Sequence, residues 1–144
     1  MKVRILIVDD ESEIREMLSR HFRYLGYDVE TAANGHEALG KMEEVKTDII
    51  ITDIMMPMMD GISLLKIIRK SYPLAHTIMI SGYGSLANVL ACMRYGADTF
   101  VFKPLEDLSK LEEAVANAIS AIENWLSILQ ELSVKKNSSQ KNNP

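Results

Sequence analysis

Short apolar runs alternate along this chain with longer stretches whose apolar residues recur at helical spacing. Val3–Asp9, Tyr27–Ala32, Asp48–Asp53, His76–Ser81 and Thr99–Lys103 read as strands. Helices are expected near Glu11–Leu25, Gly35–Val45, Ile62–Ser71, Ser85–Tyr95 and Leu105–Leu132. Five βα repeats of this kind imply a parallel sheet with helices on both faces. The punctuation agrees. Gly26 and Gly96 follow the first and fourth helices, where a left-handed residue ends a helix without a Cβ clash. Asn34 and Ser85 stand where they can cap the second and fourth.

In open α/β sheets ligands sit beyond the carboxyl ends of the strands. Asp9, Asp10, Asp53, Ser81 and Lys103 all fall at such ends. Three carboxylates on one rim raise one another's pKa or require a cation. Oxygen ligands favour a hard divalent ion, Mg²⁺, with Mn²⁺ able to substitute. Asp53 can act as a carboxylate nucleophile towards a phosphoryl group. That chemistry needs positioning and charge neutralisation above all. A metal on Asp10 and Asp53 supplies one positive centre, Lys103 a second, and Ser81 a hydroxyl donor. Other residues read as scaffold. Asp60-Gly61 is turn chemistry, Pro57 shapes the loop, the methionines around it are packing contacts, and Cys92 is buried. His21, His36 and His76 share no site.

Composition narrows the classes. At 144 residues, with 47% hydrophobic and 25% charged positions, the chain is one globular domain's worth. A formal net charge of −4 argues against nonspecific nucleic-acid binding. The single cysteine excludes an intramolecular disulfide and a cysteine-based zinc site, and fits a reducing compartment. The amino-terminal apolar run, broken by Asp9-Asp10, is too short for a signal-peptide core, and no run reaches membrane-spanning length. A cytoplasmic protein is expected.

Four segments in order resemble the receiver domain of two-component response regulators, over about residues 3–120. They are Val8-Asp9-Asp10-Glu11, Asp53-Ile-Met-Met-Pro57-Met-Met-Asp60-Gly61, Ser81-Gly82-Tyr83-Gly84 and Phe100-Val-Phe-Lys103-Pro104. Each is weak alone; together they are specific. The resemblance implies a flavodoxin-like five-stranded sheet of order 2-1-3-4-5. It implies that Asp53 is the phospho-acceptor, served by a histidine kinase or a histidine phosphotransfer protein. Asp10 and the Met55 backbone carbonyl would bind the metal, with Asp9 acting through a water. Lys103 would pair with Asp53, and later with its phosphoryl group. Ser81 and Phe100 would relay the change to the face of the fourth helix, fifth strand and fifth helix. Lys103-Pro104 would be cis, as in similar proteins. Met55 and Tyr83, two residues after Asp53 and Ser81, would slow an attacking water. Such a switch phosphorylates itself and hydrolyses slowly, and is not counted as an enzyme. An aspartyl phosphohydrolase would carry a second acid at Met55. A flavin module would need a Ser/Thr/Gly-rich phosphate loop after the first strand, and would meet repulsion from the acidic rim.

The last helix is expected to outlast the domain. Leu108, Leu111, Val115, Ala118, Ile122, Trp125, Leu129 and Leu132 step by three and four residues, a heptad seam. The division expected is a receiver over 1–120, a helical extension over 121–132, and a polar, disordered tail or truncated linker over 133–144. Ile122, Trp125, Leu129 and Leu132 would mediate a homodimer or a connection to an output domain. No direct nucleic-acid or membrane contact is expected of this domain.

Overall fold

The computed structural model describes residues 2–82 and 84–141. Met1, Tyr83 and residues 142–144 lie outside it, so the expectations that fall on them do as well. The strands are β1 Arg4–Val8, β2 Asp28–Ala32, β3 Ile49–Asp53, β4 His76–Ser81 and β5 Thr99–Phe102. The helices are α1 Ser12–Tyr24, α2 Gly35–Glu44, α3 Gly61–Ser71, α4 Leu86–Arg94 and α5 Ser109–Lys141. All pairings are parallel, in the order β2-β1-β3-β4-β5. This is the flavodoxin-like sheet expected, with β3 at its centre between β1 and β4.

Strand periodicity splits the core in two, because successive side chains point to opposite faces. Ile5, Ile7, Ile49, Ile51, Ile78 and Ile80 pack with Leu18 and Phe22 of α1 and Leu111, Val115 and Ala118 of α5. Leu6, Val8 and Ile50 pack with Ala38 and Met42 of α2 and Leu64 and Ile68 of α3. A smaller cluster joins Ile54, Leu65 and Met79 to Cys92, the one buried side chain of α4.

Helix ends follow local chemistry. Asn34 accepts from the Glu37 N–H at 2.9 Å, and Ser85 from the Asn88 N–H at 3.1 Å. Asp60 caps α3 by accepting from the Ser63 N–H at 2.7 Å, so its turn role is specifically an N-cap. Gly26 and Gly96 hold φ values of 97° and 81°. The Lys103-Pro104 bond is cis.

Helix α5 differs from expectation at both ends. It begins at Ser109, not Leu105, because Asp107 accepts from the Ser109 N–H at 2.9 Å and Leu105 is drawn into the core. It then runs through Lys141, across residues expected to be a disordered tail. Nothing from Ser133 to Lys141 is Pro or Gly, and Lys135 and Lys136 suit the carboxyl-terminal part of a helix. No helix among the described residues is long and apolar enough to cross a membrane.

Gly61 is where backbone meets backbone. A Cβ there would lie 2.1 Å from the Asp53 carbonyl oxygen, and the Gly61 N–H already donates to Ile54 O at 2.8 Å. A side chain at 61 would push α3 away from the strand end that carries Asp53. Gly61→Ala is therefore expected to lower stability by about 2–3 kcal/mol, read as a lower urea midpoint at unchanged slope. An unchanged midpoint would show that the loop yields freely.

Candidate functional site

The rim at the carboxyl ends of β1, β3 and β5 is built around one ammonium. Lys103, just after β5, places Nζ 3.0 Å from Asp9 Oδ2, 3.2 Å from Asp53 Oδ2 and 3.3 Å from Glu11 Oε1. Asp9 is fully buried and Asp53 nearly so, since β1 and β3 are interior strands. Each carboxylate has a backbone donor as well. Asp9 Oδ1 accepts from the Glu11 N–H at 2.9 Å, and Asp53 Oδ1 from the Ile54 N–H at 2.8 Å. Asp9 Oδ2 meets Lys103 as an ion pair but makes no hydrogen bond among the described residues. A buried acceptor in that state favours a further positive partner.

Electrostatics follow from burial. Desolvation raises the Asp9 carboxyl above its ordinary value of 3.8, against the Glu11 N–H and Lys103. Desolvation, then the Asp9 charge, raise Asp53 in the same way. Burial would lower the Lys103 ammonium, but Asp9 and Asp53 outweigh it and hold it above 10.5.

Carboxylate oxygens of Asp9, Asp10, Glu11 and Asp53 all lie within 4.8 Å of one another. Four hard oxygen donors fit a divalent cation such as Mg²⁺. Glu11 is the member that sequence reasoning missed. Its signal was present in the acidic run after β1, but only the fold brings it to Lys103. Asp10 is an exposed member of the cluster, and Met55 lies in the loop two residues beyond Asp53 with an exposed side chain. Ser81 ends β4, buried, and its carbonyl accepts from the Lys103 N–H at 2.9 Å.

Phe100 is half-buried against Ile54, Leu65, Met79 and Cys92. Phe102 was not anticipated. Its ring centroid is 4.9 Å from that of Phe100, and it covers Gly84, where a Cβ would come within 2.2 Å of it. The alternation Phe100-Val-Phe102 placed both rings on one face of β5. The histidines remain apart from the rim. His21 pairs with Glu112 and His76 with Asp98, each at 2.6 Å. Ile122, Trp125, Leu129 and Leu132 are on α5, outside this rim.

Fold and rim together define a doubly wound α/β domain with a lysine-bridged acidic site whose oxygen donors are compatible with a cation. Residues 5–116 match the family model described as response regulator receiver domain. The chain belongs to that family, the receiver domains of two-component systems. It is 41% identical over 116 residues to the chemotaxis protein CheY of Thermotoga maritima, covering 80% of this chain and 96% of the relative. It is 38% identical over 116 residues to the regulatory protein AtoC of Escherichia coli, covering 81% of this chain but 25% of the relative. Most of the similar curated regulators are longer: the chain spans 43% of the transcriptional regulatory protein TrcR of Mycobacterium tuberculosis. A receiver domain protein from Methanospirillum hungatei superposes with a TM-score of 0.80 at 33% identity, over 86% of this chain and 99% of that one. The response regulator TrrA of Thermotoga maritima, solved in complex with Mg²⁺ and BeF, gives 0.73 at 37%, over 82% and 99%.

The raised carboxyl values have a consequence for stability. A carboxyl that binds its proton more tightly when folded contributes most at low pH. That contribution is lost as pH rises above 3.8 through the folded value. In chelator-treated protein at neutral pH, Asp9→Asn is expected to raise the urea midpoint, because it removes a buried charge and keeps the Oδ1 acceptor. The gain should shrink towards acid pH. A loss of stability at neutral pH would mean that the Lys103 pairing outweighs desolvation.

Proposed function

We propose that this receiver is a phosphorylation-dependent switch in which Asp53 takes a phosphoryl group from a sensor histidine kinase or a histidine phosphotransfer protein. The observation that carries the reading is the Lys103 ammonium held between buried Asp9 and Asp53 at the carboxyl end of the sheet. An Asp53 carboxylate oxygen attacks phosphorus, the P–N bond to the donor imidazole breaks, and the leaving nitrogen takes up a proton. Desolvation leaves the carboxylate less stabilised than in water, and so more nucleophilic. The Ile54 N–H fixes one of its oxygens. Lys103 then moves its pairing from the carboxylate to a phosphoryl oxygen. Asp10, Asp53 and the Met55 carbonyl, with Asp9 through a water, would hold Mg²⁺, which supplies the charge neutralisation that a trianionic rim needs. The protein catalyses its own phosphorylation and slow hydrolysis and is no turnover enzyme. It works in the cytoplasm.

Ser81, one step beyond the Asp53–Ile80 register pair, turns its hydroxyl to the new phosphoryl oxygens. Phe100 then turns inward and changes the face of α4, β5 and α5. Its ring has no hydroxyl, so the inward state needs no buried hydrogen-bond partner. Acetyl phosphate should label the chain only with Mg²⁺ present, and Asp53→Ala should lose labelling by at least two orders of magnitude. Beryllofluoride should shift the Phe100 ring resonances. Equal labelling of Asp53→Ala removes the acceptor assignment. An unmoved Phe100 beside a shifted α4 removes the relay.

The same chain pairs with a second copy, or with an output domain, through the end of α5. Leu111, Val115 and Ala118 of the seam are buried on the sheet, whereas Trp125, Leu129 and Leu132 are 65%, 59% and 62% exposed. Light scattering should report self-association that Trp125→Glu abolishes. Equal masses for the two proteins would remove the α5 contact.

A further inference from the structure

The part of α5 beyond the sheet carries a wider apolar face than a two-stranded seam can hide. Ile122, Trp125, Leu129 and Leu132 cover roughly 80° of the helix surface at about 100° per residue. Leu126 and Ile128 flank them, one on each side, and are 42% and 43% exposed. With these two the face widens to roughly 160°. The opposite side carries Glu123, Ser127, Gln130 and Glu131, all exposed, with Val134 its one large apolar residue. Lys136 falls on the apolar face one turn after Leu132 and ends it.

From this width we infer that the α5 extension assembles four copies of this chain into a four-helix bundle. The inference rests on the self-association proposed above and specifies its number. In heptad terms Leu126 and Ile128 flank the core seam, where two-stranded coils carry charged residues that pair between chains. Here those flanks hold no charge from Ala121 to Ser133. A helix that is apolar at the seam and at both flanks needs a neighbour on each side, as in a bundle.

Area points the same way. The exposed apolar side chains of one extension offer on the order of 500 Å², the size of the largest patch on an ordinary monomer. Pairing two seams while leaving the flanks wet buries less than the roughly 1,000 Å² of a specific interface. A bundle covers the flanks as well. A membrane surface fits poorly, because the polar side carries Glu123 and Glu131 where an interfacial helix carries Lys and Arg.

Sedimentation equilibrium of the intact chain over a wide micromolar range tests this, with the double variant Leu126→Lys/Ile128→Lys and with Trp125→Glu. These side chains lie beyond the sheet, so circular dichroism should show each variant folded. Four times the chain mass is expected for the unaltered protein, halved or less by the double variant. The chain's one tryptophan adds a second signal: Trp125 emission should shift to the red on dissociation. A dimer that the double variant leaves intact would overturn the bundle and keep the two-copy reading. A trimer would overturn the number four. A monomer throughout would remove both readings.

Discussion

One half-buried ammonium lets the rim exist. Unit like charges a few ångströms apart near a protein surface repel by roughly 4 kcal/mol. Asp9, Asp53 and Glu11 stand together because Lys103 lies within 3.3 Å of all three. The backbone N–H groups of Glu11 and Ile54 take up part of the remaining charge. Desolvation still wins for both aspartates, whose carboxyls remain above their ordinary value. The acidic site is thus held in a state that a cation would relieve.

That state couples to the rest of the fold through β4 and β5. The Lys103 N–H is bonded to Ser81 O, so the ammonium and the buried serine share one piece of backbone. Phe100 and Phe102 are on the same β5 strand, against a helix that buries only Cys92. By contrast α1 and α5 are anchored through the larger core cluster. A helix held by little apolar area moves at lower cost than one built into the core. A rearrangement at the rim would therefore be accommodated at least cost at α4.

Helix α5 has two parts with different partners. Its first turns replace solvent over the sheet, with His21 of α1 bonded to Glu112. Its later turns continue the same apolar seam where no sheet remains to receive it. The boundary is a matter of length: at 1.5 Å per residue, 33 residues extend roughly 50 Å, well past a five-residue strand.

The sequence by itself determined the order and type of all ten elements, the strand ends that carry Asp9, Asp53, Ser81 and Lys103, and the helix caps at Asn34 and Ser85. Those are local properties, set by the period of apolar residues and by backbone chemistry over a few positions. The resemblance to receiver domains supplied the strand order and the cis bond after Lys103. Tertiary structure decided the rest. It brought Glu11 to Lys103, 92 positions away, and set the Phe102 ring over Gly84. It started α5 at Ser109, because burying Leu105 and bonding Asp107 to the Ser109 N–H shape the preceding turn. It also separated one heptad pattern into a buried half and an exposed half. A repeat along a helix records which side is apolar; only the position of the sheet fixes which turns it covers.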